Sequence, residues 1–184
     1  GNLPTSFSNY KILQFSDVHI GGMLKSNKLL DKTLEVIENE NPDLLLFTGD
    51  IVNNFASEAD GFRPVLKRMT NKHQAFSVLG NHDYGDYTTW ESDEKKQENL
   101  EGIIATLNET GFLLLNNENR VIKKNNDSIF LAGVENWGHP PFPQYANLEK
   151  ALDGIPSDAF SILMTHDPAH WTSKVKKRDD IELT

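Results

Sequence analysis

Four apolar runs in this 184-residue chain each end on side chains that bind metals or move protons. "FSDVH" ends on Asp17 and His19, "FTGD" on Asp50, "LGNHD" on Asn81, His82 and Asp83, and "LMTHD" on His166 and Asp167. An ionised carboxylate placed straight after a buried strand is strongly disfavoured without a partner, so Asp50 calls for one. Two carboxylates about 4 Å apart at an effective dielectric near 20 repel by about 4 kcal/mol, and a cation between Asp17 and Asp50 would offset that repulsion. Asp17 and His19 are two residues apart and share a face if the segment is extended, so together they could chelate one ion. Taken singly, an Asp or Asn after a strand is a turn former or a helix N-cap. Independent caps need not place two histidines and an asparagine among the acids at four core strand ends, and that joint pattern favours a metal site.

The elements that must position these groups follow from periodicity. "KILQF" reads as a strand. "SNKLLDKTLEVIENENPD" reads as a helix with Leu30, Leu34 and Ile37 on one face, Ser26 as its N-cap and Pro42 as its stop. "DLLLFTGD" is a continuous apolar strand of the kind buried on both faces. A second helix around Gly61 to Thr70 precedes the strand in "QAFSVLGNHD", which makes the order β-α-β-α-β. A third helix follows, capped by Ser92 and carrying Leu100, Ile103, Ile104 and Leu107 as its apolar stripe. "FLLLNNENRVIKKNNDSIFLAGVEN" then reads as three short strands broken by Asn-rich turns, a meander. A Pro-rich loop, a short helix and the buried strand of "DAFSILMTHDP" complete the reading. In open α/β sheets ligands bind beyond the carboxyl ends of the strands, where all four polar endings lie.

"SDVHIG", "GDIVN", "GNHD" and "THDP", in this order and spacing, resemble the calcineurin-like metallophosphoesterases over nearly the whole chain from Tyr10. "LGNHDYGDYTTW", "GVENWGHPPFP" and "THDPAHW" are similar to bacterial phosphoesterases often anchored by N-terminal membrane helices. The resemblance implies an α/β fold, a two-sheet β-sandwich flanked by helices in four αββα layers. It also implies a centre of two divalent metal ions, of Mn, Fe, Zn or Co. Asp17 and His19 would hold the first ion, Asp50 would bridge both, and Asn81 and His166 would hold the second. A hydroxide between the ions would attack phosphorus, His82 would assist the leaving oxygen, and Asp83 would orient His82. The family closes with a Gly-His-x-His motif that adds one histidine to each ion, whereas this sequence ends at "DDIELT". The expectation is therefore one domain over residues 1–184, incomplete at its C-terminus and impaired in metal binding and activity. His139 follows a glycine but has no second histidine after it. His170 should point away from His166, and His73 should lie on the surface.

Bulk properties bound the function. A net charge of −9 and a pI near 5.1 disfavour a nucleic-acid polymer as partner, because backbone binding needs Lys and Arg. With no cysteine, any metal must be held by histidine, carboxylate or amide oxygen. The start "GNLPTSFSNY" has no initiator Met, which leaves room for a membrane tether in the full-length protein. Trp137, Phe142 and Tyr145 sit among prolines and could form an apolar rim for a small-molecule or lipid phosphoester. Two other readings stand beside hydrolysis of such esters: a non-catalytic binding module that keeps the fold, and a nucleotide phosphodiesterase of the same superfamily.

Overall fold

Phe15, Phe47 and Ser77 lie side by side at the ends of three parallel strands, and that register sets the geometry of everything beyond them. The structure is a computed structural model describing residues 1–22 and 28–184. Ser26, expected to cap the first helix, falls outside the described residues. The fold is mixed α/β with two sheets and their helices. Cα positions group the chain into two compact units, Lys11–Leu114 and Gly1–Tyr10 with Leu115–Thr184.

The Lys11–Leu114 unit holds strands β1 (Ile12–Phe15), β2 (Leu44–Phe47), β3 (Gln74–Ser77) and β4 (Leu113–Leu114) in the order β1-β2-β3-β4, all parallel. Parallel neighbours need crossovers, supplied by α1 (Lys28–Glu40), α2 (Arg63–Thr70) and α3 (Asp93–Glu109). All four residues of β2 are buried, as its unbroken apolar run requires. α1 buries Leu30, Leu34 and Ile37, the expected i, i+4, i+7 stripe, and each such side chain contributes about 1.5–3 kcal/mol. Phe15, Phe47 and Phe112 form an aromatic cluster with centroids 5.0 to 6.1 Å apart. α3 starts at Ser92, whose side chain accepts from the Lys95 amide, and it buries Ile103 and Leu107 most fully. His73 is half-buried rather than a surface residue, with Nδ1 2.9 Å from the Pro42 carbonyl oxygen.

The other unit carries β5 (Glu118–Lys124), β6 (Asp127–Gly133) and β7 (Ser161–Met164), with β5/β6 antiparallel and β6/β7 parallel. The expected three-strand meander is corrected here. Its first strand is β4, which joins the parallel sheet beside β3, and only β5 and β6 form a hairpin. α3 brings β4 back parallel to β3, a step a meander lacks, and Asn125 turns the hairpin at φ 54°. α4 (Leu148–Leu152) contributes Leu148 and Ala151 to a core with Ala132, Val134, Leu163 and Val175. On the open side of β7 the Leu163 amide donates to the Leu183 carbonyl at 2.8 Å.

Candidate metal centre

Because β1, β2 and β3 end at one level, the loops that follow run alongside each other. The Asp17 amide donates to the Gly49 carbonyl at 3.0 Å, the His19 amide to Asp50 at 3.0 Å, and the Ile20 amide to Ile51 at 2.9 Å. Three non-glycine residues in these loops, Asp17, His19 and Asp50, have left-handed backbones with φ of 57°, 46° and 61°. Such conformations are costly for non-glycine residues and persist where surrounding bonds over-determine them, commonly at functional sites. Asp17 and His19 are therefore not on an extended segment sharing one face, as the spacing predicts. They meet through two positive-φ turns instead.

The result is a tight polar group. His19 Nε2 lies 3.5 Å from Asp50 Oδ2 and 3.7 Å from Asp17 Oδ1. One ligand atom from each of His19, Asp50 and His82 falls within 4.8 Å of the other two. Asp50 is only 2% exposed, and its Oδ1 accepts from the His82 amide at 2.9 Å. Gly80 permits this approach, since a Cβ there would sit 2.2 Å from Asp50 Oδ1. Asn81 stands beside it, half-buried, with Nδ2 donating to Tyr87 Oη at 2.9 Å. His166 belongs to the other unit, half-buried just beyond β7, ahead of the Asp167 N-cap.

The donor set fits a divalent cation. His19 Nδ1 is buried without a hydrogen-bond partner, while Nε2 faces two carboxylate oxygens, of Asp50 at 3.5 Å and Asp17 at 3.7 Å. Two carboxylates gathered at one imidazole nitrogen repel each other. A cation among those atoms removes the conflict, because ligands about 2.0–2.2 Å from one ion stand roughly 3–3.5 Å apart.

His82 and Asp83 have separate tasks. The His82 ring places Nδ1 2.7 Å from the Asn53 carbonyl oxygen, so Nδ1 carries the proton and Nε2 remains for chemistry. Asp83 is not hydrogen-bonded to that ring, which corrects the expectation that it orients His82. Its Oδ2 accepts from the Asp50 and Gly80 amides, both at 2.9 Å, and its Oδ1 accepts from Ile51 at 3.0 Å and Val52 at 3.5 Å. Asp83 shapes the Asp50 loop, and the Asn53 carbonyl takes the place beside the imidazole. Burial and the Asp50 charge push the Asp83 carboxyl up to about 7, against the lowering by the amides of Gly80, Asp50 and Val52. Sequence reasoning passed over Asn53 and Tyr87. Asn53 acts through its main chain and leaves no side-chain signal. Its loop is held by Glu58, whose carboxylate accepts from the amides of Asn53, Asn54 and Phe55 at 2.9 to 3.1 Å.

In the other unit, Trp137 and Tyr145 line a cavity of about 370 Å³ together with His170, Lys174 and Arg178, whereas Phe142 is exposed outside it. The lining is therefore mixed, not the apolar rim expected. His170 is fully buried and turns Nδ1 to Thr165 Oγ1 at 3.1 Å. Burial pulls its pKa below the ordinary 6.5, Asp167 opposing that shift and Lys174 adding to it.

Residues 10–183 match the family described as calcineurin-like phosphoesterase. The chain is 26% identical over 187 residues to a Danio rerio "transmembrane protein with metallophosphoesterase domain", covering 98% of this chain and 40% of that protein. It is 28% identical over 168 residues to the Bacillus subtilis "uncharacterized metallophosphoesterase YkuE", covering 90% of this chain and 54% of that one. Among solved structures, Haemophilus influenzae NAD nucleotidase aligns with a TM-score of 0.56 at 16% identity, over 93% of this chain and 36% of that chain, a likeness of fold alone. Among the described residues no helix is long and apolar enough to cross a membrane.

Proposed function

Because the chain belongs to the calcineurin-like phosphoesterase family, whose members hydrolyse phosphoesters with divalent metals, we propose that it carries the hydrolytic centre of such an enzyme. The observation that carries this reading is the gathering of His19, the buried Asp50 carboxylate and His82, one ligand atom from each lying within 4.8 Å of the other two. Asp17, His19, Asp50 and Asn81 would hold the divalent ions in the Lys11–Leu114 unit, and His166 is the ligand expected from the sequence of the other unit. The donor atoms are imidazole nitrogen, carboxylate and amide oxygen, which suit Mn, Fe, Zn or Co. When bound, the ions supply Lewis acidity toward phosphoryl oxygens and lower the pKa of a water molecule.

The chain's own groups do the rest. Asp50, held by Asp83 through the loop amides and by His82 through its amide, presents Oδ2 on the side of His19. His82, its Nδ1–H donating to the Asn53 carbonyl, would give the departing ester oxygen a proton from Nε2 in its imidazolium form, the attacking water releasing a proton that restores that form. The bond from phosphorus to that oxygen breaks as the bond to the water oxygen forms. A positioned acid of this kind is worth on the order of 100-fold or more.

The substrate is assigned to small-molecule or lipid phosphoesters. Kinship with proteins named as transmembrane supports a setting near a membrane for the whole protein, of which this chain spans about 40% of the relatives' length. The net charge of −9 speaks against nucleic-acid polymers.

The test is Mn-dependent hydrolysis of aryl phosphate monoesters and diesters by this chain. Activity that Asp50→Asn reduces by at least 100-fold is expected. Equal activity with and without the carboxylate would overturn the proposal, and the preferred ester class identifies monoesterase or diesterase.

A further inference from the structure

The carbonyl oxygen that His82 Nδ1 meets at 2.7 Å belongs to the main-chain peptide between Asn53 and Asn54, and the N–H of that same peptide donates to Glu58 Oε2 at 2.9 Å. A carbonyl oxygen only accepts and an amide N–H only donates. The linked bonds therefore run one way, from the ring N–H through the peptide to the carboxylate. The peptide is trans, and a planar trans unit points its N–H and C=O to opposite sides. Holding the Asn54 amide on Glu58 thus aims the Asn53 oxygen at the histidine. Hydrogen bonds joined in series polarise one another, so the Glu58 charge strengthens the bond at Nδ1 from across a peptide.

Glu58 reaches further than a helix cap requires. Its bond to the Phe55 amide, at 3.1 Å, is the one a capping glutamate makes at the start of the helical turn Ala56–Phe62. The same oxygen also takes the Asn54 amide and, at 2.9 Å, the Asn53 amide, which is shared with the Ile20 carbonyl at 3.0 Å. Gly21, φ 89°, makes room for the carboxylate, since a Cβ there would sit 2.4 Å from Glu58 Cδ. The following peptide is held separately: Asn99 on α3 donates from Nδ2 to the Asn54 carbonyl at 3.0 Å and accepts from the Ala56 amide at 2.8 Å. The ring contacts of His82 do not choose between its nitrogens. His19 meets the ring at right angles with centroids 4.7 Å apart, and Tyr87, returned by a turn at Gly85 (φ 68°), stacks on it at 4.5 Å. The bond to Asn53 does choose.

We propose that Glu58 is a positioning residue for His82: through the Asn53–Asn54 peptide it keeps the proton of the neutral ring on Nδ1 and leaves Nε2 to serve the departing oxygen. The use made of Nε2 rests on the proposed function, whereas the chain of hydrogen bonds stands without it.

The test reads the tautomer directly. In the metal-free chain at pH 8.5, where an ordinary imidazole is neutral, 15N shifts of the His82 ring distinguish a protonated from a bare nitrogen. Nδ1 is the protonated nitrogen in the unaltered chain. Glu58→Ala frees the peptide and brings in the Nε2–H form that free histidine prefers. Asn99→Ala loosens the loop without touching that peptide and leaves the tautomer unchanged. If Glu58→Ala does not fold, Glu58→Asp, one methylene too short, gives the same reading. A ring that stays wholly Nδ1–H in the Glu58 variant overturns the proposal, and so does an equal change in Asn99→Ala, which makes the effect a general loosening. With Mn2+ and an aryl phosphate, Glu58→Ala lowers kcat about tenfold at nearly constant KM, part of the roughly 100-fold or more that a positioned acid supplies. Unchanged kcat overturns the catalytic half of the proposal. If the unaltered chain hydrolyses no ester, the proposed function fails, and the tautomers still decide whether Glu58 positions His82.

Discussion

Asp83 shows how much of this site depends on one side chain that touches no substrate. Its carboxylate accepts from the amides of Asp50, Ile51 and Gly80, with Val52 at the limit, so it organises the loop carrying the buried Asp50. In Asp83→Asn an amide NH2 meets backbone N–H donors on one side. The expected loss is about 3 kcal/mol of stability, read as a shift in urea midpoint at unchanged slope. A loss below about 0.5 kcal/mol would show that the loop holds its shape without it. At this scale what could be read in the sequence was residue type: Asp17, His19, Asp50 and His82 bring ligand-type atoms close together in the loops after β1, β2 and β3. The partners of Asp83 were hidden because they are main-chain groups, and all but the Gly80 amide lie more than thirty residues upstream. Tyr87 was hidden because its contacts depend on a Gly85 turn with no periodicity.

At the scale of elements, the turn after β7 carries the clearest pH dependence. Asp167 caps α5 (Pro168–His170), its Oδ1 accepting from the Ala169 amide at 2.7 Å, and His170 is driven into the interior. Burial favours the neutral ring and depresses its pKa below 6.5. Above about pH 6.5 both folded and unfolded chains hold this histidine neutral, and its full contribution is present. As pH falls below 6.5 the unfolded chain takes the proton first, so stability declines until the depressed folded pKa is passed. Asp83, with its raised carboxyl, acts in the opposite sense over the same range, so the test is a difference: from pH 7.5 to 5 the unfolding free energy of the unaltered chain should fall more, or rise less, than that of His170→Gln, and an identical slope in both proteins would contradict the assignment. Elements with strong periodicity were legible, as Leu30, Leu34 and Ile37 on α1 show. β4 was misassigned because two apolar residues beside Asn116 and Asn117 do not reveal which sheet they join, and pairing with β3 was settled by the α3 crossover. The Asp17–His19 segment was misjudged because alternation says nothing about φ, and both residues turn left-handed.

For the whole molecule, family membership was legible because the motifs are few, chemically demanding and widely spaced, and the family match runs from residue 10 to 183. The division into two compact units was not, because the second unit is discontinuous and neither boundary carries a Pro-, Gly- or Ser-rich linker. The carboxylates and imidazoles gathered at these strand ends could hold a cation, and the proposed chemistry depends on one binding there. Crystals of the chain soaked in millimolar Mn2+ and measured at the manganese absorption edge test it most directly. An anomalous peak is expected within bonding distance of Asp50 Oδ2 and His19 Nε2, absent from Asp50→Asn crystals. An ordered site with no anomalous density at those atoms, or the same peak without the carboxylate, would contradict it.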